Sequence, residues 1–210
     1  MNSKTIGIIV AFTALTTALN VIKIPVPYLL TFSYTFGDIA LLVAFLLYGP
    51  KPGVAVAFLS TIITMIILPG PANLFGQPYY LIGICTMLLG VYVASRIITR
   101  RKRLQVSDKT VILLTALAIL TRTILMFPLD YTVFGALVSV VSGLSMADAY
   151  SLVRGTILMI VLYNVTVPLY VVPTSYYLAK KLAKYLKIQN TMLFHPEIFP
   201  ADQAYQKNAQ

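Results

Sequence analysis

The chain has 210 residues, 59% of them hydrophobic and only 10% charged, with a mean hydropathy of +0.85. A soluble domain carries roughly 25% charged residues, so the composition excludes an ordinary soluble enzyme and marks an integral membrane protein. The net charge of +10 would point to nucleic acid in a soluble protein; here the basic residues sit at segment ends, which assigns them to topology and anionic lipid.

Six apolar segments are predicted, at about 5–22, 35–49, 53–69, 79–98, 110–127 and 155–179. All are expected to be helices, because only helices or closed barrels satisfy a backbone in lipid and no period-2 alternation is visible. The expected fold is an all-α membrane protein, a six-transmembrane-helix bundle with both termini cytoplasmic. Residues 1–190 form its transmembrane domain and 191–210 a polar cytoplasmic tail carrying His195, Glu197 and Asp202. Lys4 precedes an apolar run of about 18 residues, longer than a signal-peptide core, so the first segment is read as an uncleaved span. With a cytoplasmic N-terminus, 13 of the 16 Lys and Arg fall inside. They include Arg96, Arg100, Arg101, Lys102, Arg103 and Lys109, and later Lys180, Lys181, Lys184, Lys187 and Lys207. That is a positive-inside pattern for six spans and a multi-pass cell-membrane protein. The single cysteine, Cys85, excludes an internal disulfide and a thiolate cluster.

The first segment carries Gly7, Ala11, Ala14 and Ala18, which fall within a stripe of about 60° at about 100° per residue. Small residues let another backbone approach closely, in the same chain or in a separate membrane subunit. The first outer loop, from Lys23 to Tyr34, is stiffened by Pro25 and Pro27 and is apolar, with Tyr28, Phe32 and Tyr34. Such a loop covers a cavity or lies in the lipid interface. Phe36-Gly37-Asp38 opens the second segment, where a carboxylate caps free N–H groups. Tyr48-Gly49-Pro50-Lys51-Pro52-Gly53 reads as a tight inner turn. In the second outer loop Pro69, Gly70, Pro71, Gly76 and Pro78 are expected to forbid regular structure. Its Asn73, Gln77, Tyr79 and Tyr80 suit a flat polar heterocycle, or an interfacial anchor. The third outer loop, 128–154, holds an apolar stretch, Val133–Val141, that fits a short re-entrant or interfacial helix.

Arg122 lies inside the apolar run Leu113–Phe127. A guanidinium there costs about 2.5–3.5 kcal/mol at the centre of a membrane helix and faces a protein interior or a wet cavity. Arg122, Asp130, Tyr131, Asp148, Arg154, Tyr163 and Asn164 are candidates for a small-molecule site near the outer face. Asn73, Gln77, Tyr79 and Tyr80 lie opposite, and Tyr34 and Asp38 approach from the first loop and second segment. The alternative for Arg122 is a purely structural lock on Asp130 or a carbonyl. No enzyme is expected: the only His is in the tail and no Ser–His–Asp or Cys–His set shares a face. A Walker A motif is missing, so ATP cannot drive this chain directly. No metal and no cofactor are expected.

Several motifs in order resemble one family. They are Ala14-x-x-x-Ala18, Ile24-Pro25-Val26-Pro27, Phe36-Gly37-Asp38, Tyr48-Gly49-Pro50 with Gly53, Phe127-Pro128-Leu129 and Tyr163-Asn164. Together they resemble the S components, the substrate-binding membrane subunits of energy-coupling factor (ECF) vitamin transporters, and most nearly the riboflavin type. The resemblance implies a vitamin, riboflavin or a related flavin, bound near the outer surface under the first loop. It implies that Gly7, Ala11, Ala14 and Ala18 dock on a transmembrane coupling subunit driven by two cytoplasmic ATPases, with toppling of the S component during transport. The chain departs from the riboflavin type in two places. Arg122 stands where those members carry an amide, and Thr166, Val167 and Pro168 stand where they carry a lysine. An arginine favours carboxylate or phosphate, so another acidic vitamin is an alternative ligand. A stand-alone secondary transporter and a ligand-free scaffold are alternative classes.

Overall fold

The computed structural model describes residues 3–68, 70–100 and 108–186. The tail 191–210, Arg101, Lys102, Arg103, Lys187, Lys207 and Pro69 lie outside the described residues. The apolar segments form helices, as a chain in lipid requires. In order they are α1 (Ser3–Asn20), α2 (Gly37–Tyr48), α3 (Pro50–Ile67), α4 (Pro71–Arg100), α5 (Asp108–Thr132), α6 (Phe134–Ser142) and α7 (Met146–Tyr185). Five of them are long and apolar enough to cross a membrane: α1, α3, α4, α5 and α7. The chain is therefore a multi-pass membrane protein. The second apolar segment, α2, has 12 residues and spans only about 18 Å at 1.5 Å per residue. Its run Ala40–Leu47 is buried, packed between α1, α3 and α7. It is a core helix surrounded by protein more than by lipid.

Three local expectations are corrected. The bundle is not wholly helical: the first outer loop is a two-stranded antiparallel hairpin, β1 (Lys23–Val26) and β2 (Leu29–Thr35), with Ile24 opposite Tyr34 and Pro25 opposite Ser33. Pro25 bars helix but is tolerated in a strand with one free edge. The second outer loop is not irregular. Pro71 opens α4, where its missing N–H costs nothing. Pro78 sits inside the same helix, and its one lost bond does not outweigh the many that a helix satisfies. The inner turn is shorter than expected: Gly49, at φ 94, makes it alone, and Pro50 already starts α3.

Tight helix contacts fix the frame. Gly90 of α4 meets α5 so closely that an added Cβ would lie 2.5 Å from the Leu117 carbonyl oxygen and 2.7 Å from the Ala118 Cα. Gly53 of α3 is as close to Phe45 of α2, 2.7 Å from its Cα. The hairpin is tied to α7 by residues 163, 166 and 170, one face at helical spacing. Tyr163 donates to the Ser33 carbonyl at 3.2 Å and Tyr170 to the Thr35 carbonyl at 3.0 Å. The hydroxyls of Tyr28, Tyr34 and Thr166 close a triangle with sides of 2.7, 2.9 and 3.1 Å. Burial raises the Tyr34 phenol above its ordinary pKa, which keeps its proton in place at neutral pH.

Candidate functional site

Under this hairpin lies a cavity of about 370 Å³, walled by α4, α5, α6 and α7. α4 lines it with Asn73, Gly76, Gln77, Tyr80 and Gly83, which recur at helical spacing. α5 contributes Arg122, Met126 and Asp130 at four-residue steps. α6 turns Phe134, Leu137, Val138 and Val141 inward, the i, i+3, i+4, i+7 pattern of an amphipathic helix. Gly143, at φ 72, ends α6 in the left-handed region.

The floor is a polar chain. Arg122, 2% exposed, donates from Nε to Asn164 Oδ1 at 3.2 Å. Asn164 donates from Nδ2 to Asp130 Oδ2 at 2.8 Å. Tyr79 donates its hydroxyl to the other oxygen of Asp130. Arg122 thus reaches Asp130 through an amide and not as a direct pair, and its Nη1 has no acceptor. Gly83 makes room for the guanidinium, since a Cβ there would lie 3.3 Å from Nη2. The Arg122 guanidinium also lies 5.8 Å from the Tyr163 ring centre. Rings complete the walls: Phe32 packs on Tyr163 at 4.7 Å and on Phe134 at 5.2 Å, and Tyr79 on Phe134 at 5.3 Å. Such an arrangement can hold a flat ring between aromatic faces and fix it by a few directed hydrogen bonds.

Of the candidate residues, Asn73, Gln77, Tyr79, Tyr80, Arg122, Asp130, Tyr163 and Asn164 line the cavity together. Tyr34 lies behind its wall, stacked on Tyr163 at 5.7 Å. Asp38 is also behind the wall and is not a cap: Phe36 is the N-cap residue of α2 and makes no side-chain bond, while buried Asp38 accepts the Tyr80 hydroxyl. A first-turn carboxylate usually serves its own helix, but here a phenol from α4 reaches it first. Tyr131 and Arg154 pair with each other outside the cavity, the guanidinium 5.6 Å from the ring centre. Asp148 belongs to the start of α7, where Ser145 caps the helix and donates to it at 2.6 Å. The α6 wall and Phe32 were missed as site residues. The signal was present in the spacing of Phe134, Leu137, Val138 and Val141, which marks one apolar face of a helix without saying what that face meets. Among the described residues no group of three His, Cys, Asp or Glu side chains could hold a metal.

The small-residue stripe lies elsewhere. Gly7, Ala11, Ala14 and Ala18 are exposed on α1, and a Cβ at Gly7 would meet nothing within 4 Å. Ala14 and Ala18 line a groove between α1 and α3 with Leu59, Ile63 and Ile67. Thr13 and Thr17, buried at its base, have hydroxyls without partners.

No protein-family profile and no curated protein matches the chain. A solved structure does: the S component of a bacterial ECF transporter, with a TM-score of 0.69 and 21% identity over 89% of this chain and 99% of that one. At that identity the likeness establishes the fold. The hairpin-capped helical bundle described above is an S-component-like fold.

Proposed function

We propose that this chain is the substrate-binding S component of an ECF vitamin transporter in the cell membrane, and that its ligand is riboflavin or a related flavin. The observation that carries the reading is the ring-walled cavity of about 370 Å³ beneath a tied-down hairpin, on a fold shared with an S component. The flavin ring stacks among Phe32, Tyr79, Phe134 and Tyr163, and Arg122, Asn164, Asn73 and Gln77 supply hydrogen bonds to its edges. Tyr34 and Asp38 support the site from behind the wall. Entry requires the Tyr28–Tyr34–Thr166 triangle to open, because it fastens the hairpin over the cavity.

Energy comes from elsewhere, since the chain has no nucleotide-binding motif. The exposed stripe Gly7, Ala11, Ala14, Ala18 docks on a transmembrane coupling subunit, and two cytoplasmic ATPases drive that subunit. Close backbone approach along this exposed stripe suits a helix of another protein. Both termini are taken as cytoplasmic, a reading supported by the excess of Lys and Arg that six spans would leave on that side.

Two measurements test the reading. Purified protein is titrated with riboflavin and the flavin fluorescence followed; saturable quenching is expected. The purified protein is also examined by mass spectrometry for a carried-over flavin. No quenching and no flavin overturn the ligand. Concentrative uptake by proteoliposomes holding this chain alone overturns the dependence on a coupling subunit.

A further inference from the structure

Resting on the reading of the cavity as a vitamin site, we infer that the group the ligand presents to Arg122 is an uncharged acceptor, a ring carbonyl or ring nitrogen, and not a carboxylate or phosphate. An arginine in a binding cavity ordinarily argues for an anion. Its surroundings here argue otherwise.

Arg122 has donors to spare. Nε is engaged by Asn164 and Nη1 is sealed inside the protein, so Nη2, beside Gly83 on the cavity wall, is the nitrogen left for a ligand. A guanidinium carries five N–H groups and no acceptor, so what it lacks is an oxygen or nitrogen from the ligand. Asp130 is the reverse. Both its oxygens accept hydrogen bonds, from Tyr79 and from Asn164. Each oxygen is therefore already engaged by a neighbour, and two of a carboxylate's roughly four acceptor sites are taken.

The charges at the floor then balance before any ligand arrives. Arg122 and Asp130 cancel, linked through Asn164. Asp38, which holds Tyr80 from behind the wall, adds no cation. Lys23 is the other cation lining the cavity; it is exposed at the rim and already donates to Asn73 at 3.4 Å. An anionic ligand group would add a further negative charge where solvent screening is weakest. A cation would face the guanidinium. A neutral acceptor takes the free N–H and disturbs no balance.

Two substitutions separate the readings. Arg122→Gln keeps an amide donor without charge, and Arg122→Lys keeps the charge without the planar fork. With riboflavin as probe, Arg122→Gln is expected to bind within about tenfold of the unaltered protein, and Arg122→Lys about tenfold or more weaker than Arg122→Gln. Tighter binding by Arg122→Lys than by Arg122→Gln, or both binding as the parent does, overturns the inference. A second measurement needs no substitution. The melting temperature of the unaltered protein is followed with riboflavin, with nicotinamide against nicotinate, and with biotinamide against biotin. Stabilisation is expected only from uncharged members. Stabilisation by the acids alone, or by no probe, overturns the inference. If riboflavin has no effect while another uncharged probe stabilises, the flavin assignment falls and the inference stands.

Discussion

Small residues do opposite work on α4 and on α1. Gly90 of α4 is spent inside the molecule, where it lets the α5 backbone come within 2.7 Å of a would-be Cβ. Gly7 of α1 has the same side chain and meets nothing within 4 Å. The polar groups follow the same division. On the α4–α5–α7 side Arg122, Asn164, Asp130 and Tyr79 bond to one another across three helices. On the α1–α3 side Thr13 and Thr17 are buried and bond to nothing. A membrane gives helices no hydrophobic reason to associate, so close packing and polar contacts must do it. One side of the molecule has completed that work internally. The other side leaves its small residues exposed and two buried hydroxyls unpaired.

The comparison can be broken from the inside first. Asp130→Ala leaves Arg122 uncompensated and strands the Tyr79 hydroxyl and the Asn164 amide. A loss of about 3–5 kcal/mol is expected, from a buried charge left uncompensated and two buried donors left without an acceptor, read as a fall in melting temperature and in yield of folded protein. Gly90→Leu comes next. It drives α4 and α5 apart, and overpacking of this kind costs about 1–3 kcal/mol. A near-neutral result in thermal unfolding would mean that α4 and α5 can separate freely, and the internal half of the comparison would fail. Thr166→Val is smaller. It removes one corner of the hydroxyl triangle but leaves Tyr28 and Tyr34 bonded at 2.7 Å. About 1 kcal/mol is expected, appearing as roughly fivefold faster dissociation of riboflavin with the fold unchanged. An unchanged dissociation rate would show that the hairpin is not the barrier to release.

How far the sequence reaches depends on the kind of signal. The lipid-spanning runs are legible because hydropathy is summed over many residues, and five of the six expected segments are helices long enough to cross. Their ends are less so. α4 begins eight residues before the predicted 79, because Pro71 and Pro78 were weighed as breakers and not as a first-turn proline and a single lost bond. The site is legible where chemistry is expensive. Arg122 inside an apolar run had to meet something polar, and Asn164, Asp130 and Tyr79 are gathered around it. It is illegible where side chains are cheap to place anywhere. Nothing in Tyr131 or Arg154 says that they face each other outside the cavity. Asp38 at a helix start reads as a cap until the fold brings Tyr80 to it. The stripe on α1 is the middle case: its spacing is plain, but whether it meets this chain or another is a question of what lies opposite.

The smallest expected change in stability is therefore the one that bears most on partnership. Ala14→Leu adds three carbons to an exposed face bordering the groove with Leu59, Ile63 and Ile67. Nothing in the chain is displaced, so the change in stability should stay within about 0.5 kcal/mol, as for substitutions away from packed contacts. Riboflavin binding should also persist, because Ala14 does not line the cavity. Assembly with a coupling subunit should not persist, since a branched side chain holds a second helix away from a face built for backbone approach. The readings to compare are the melting temperature, flavin quenching and co-purification with the coupling subunit. If all three survive, the stripe is a lipid-facing surface and the division between the two sides of the molecule loses its functional meaning. If stability or quenching falls instead, α1 is packed against its own chain after all. Loss of co-purification alone is the outcome that a surface prepared for another protein requires.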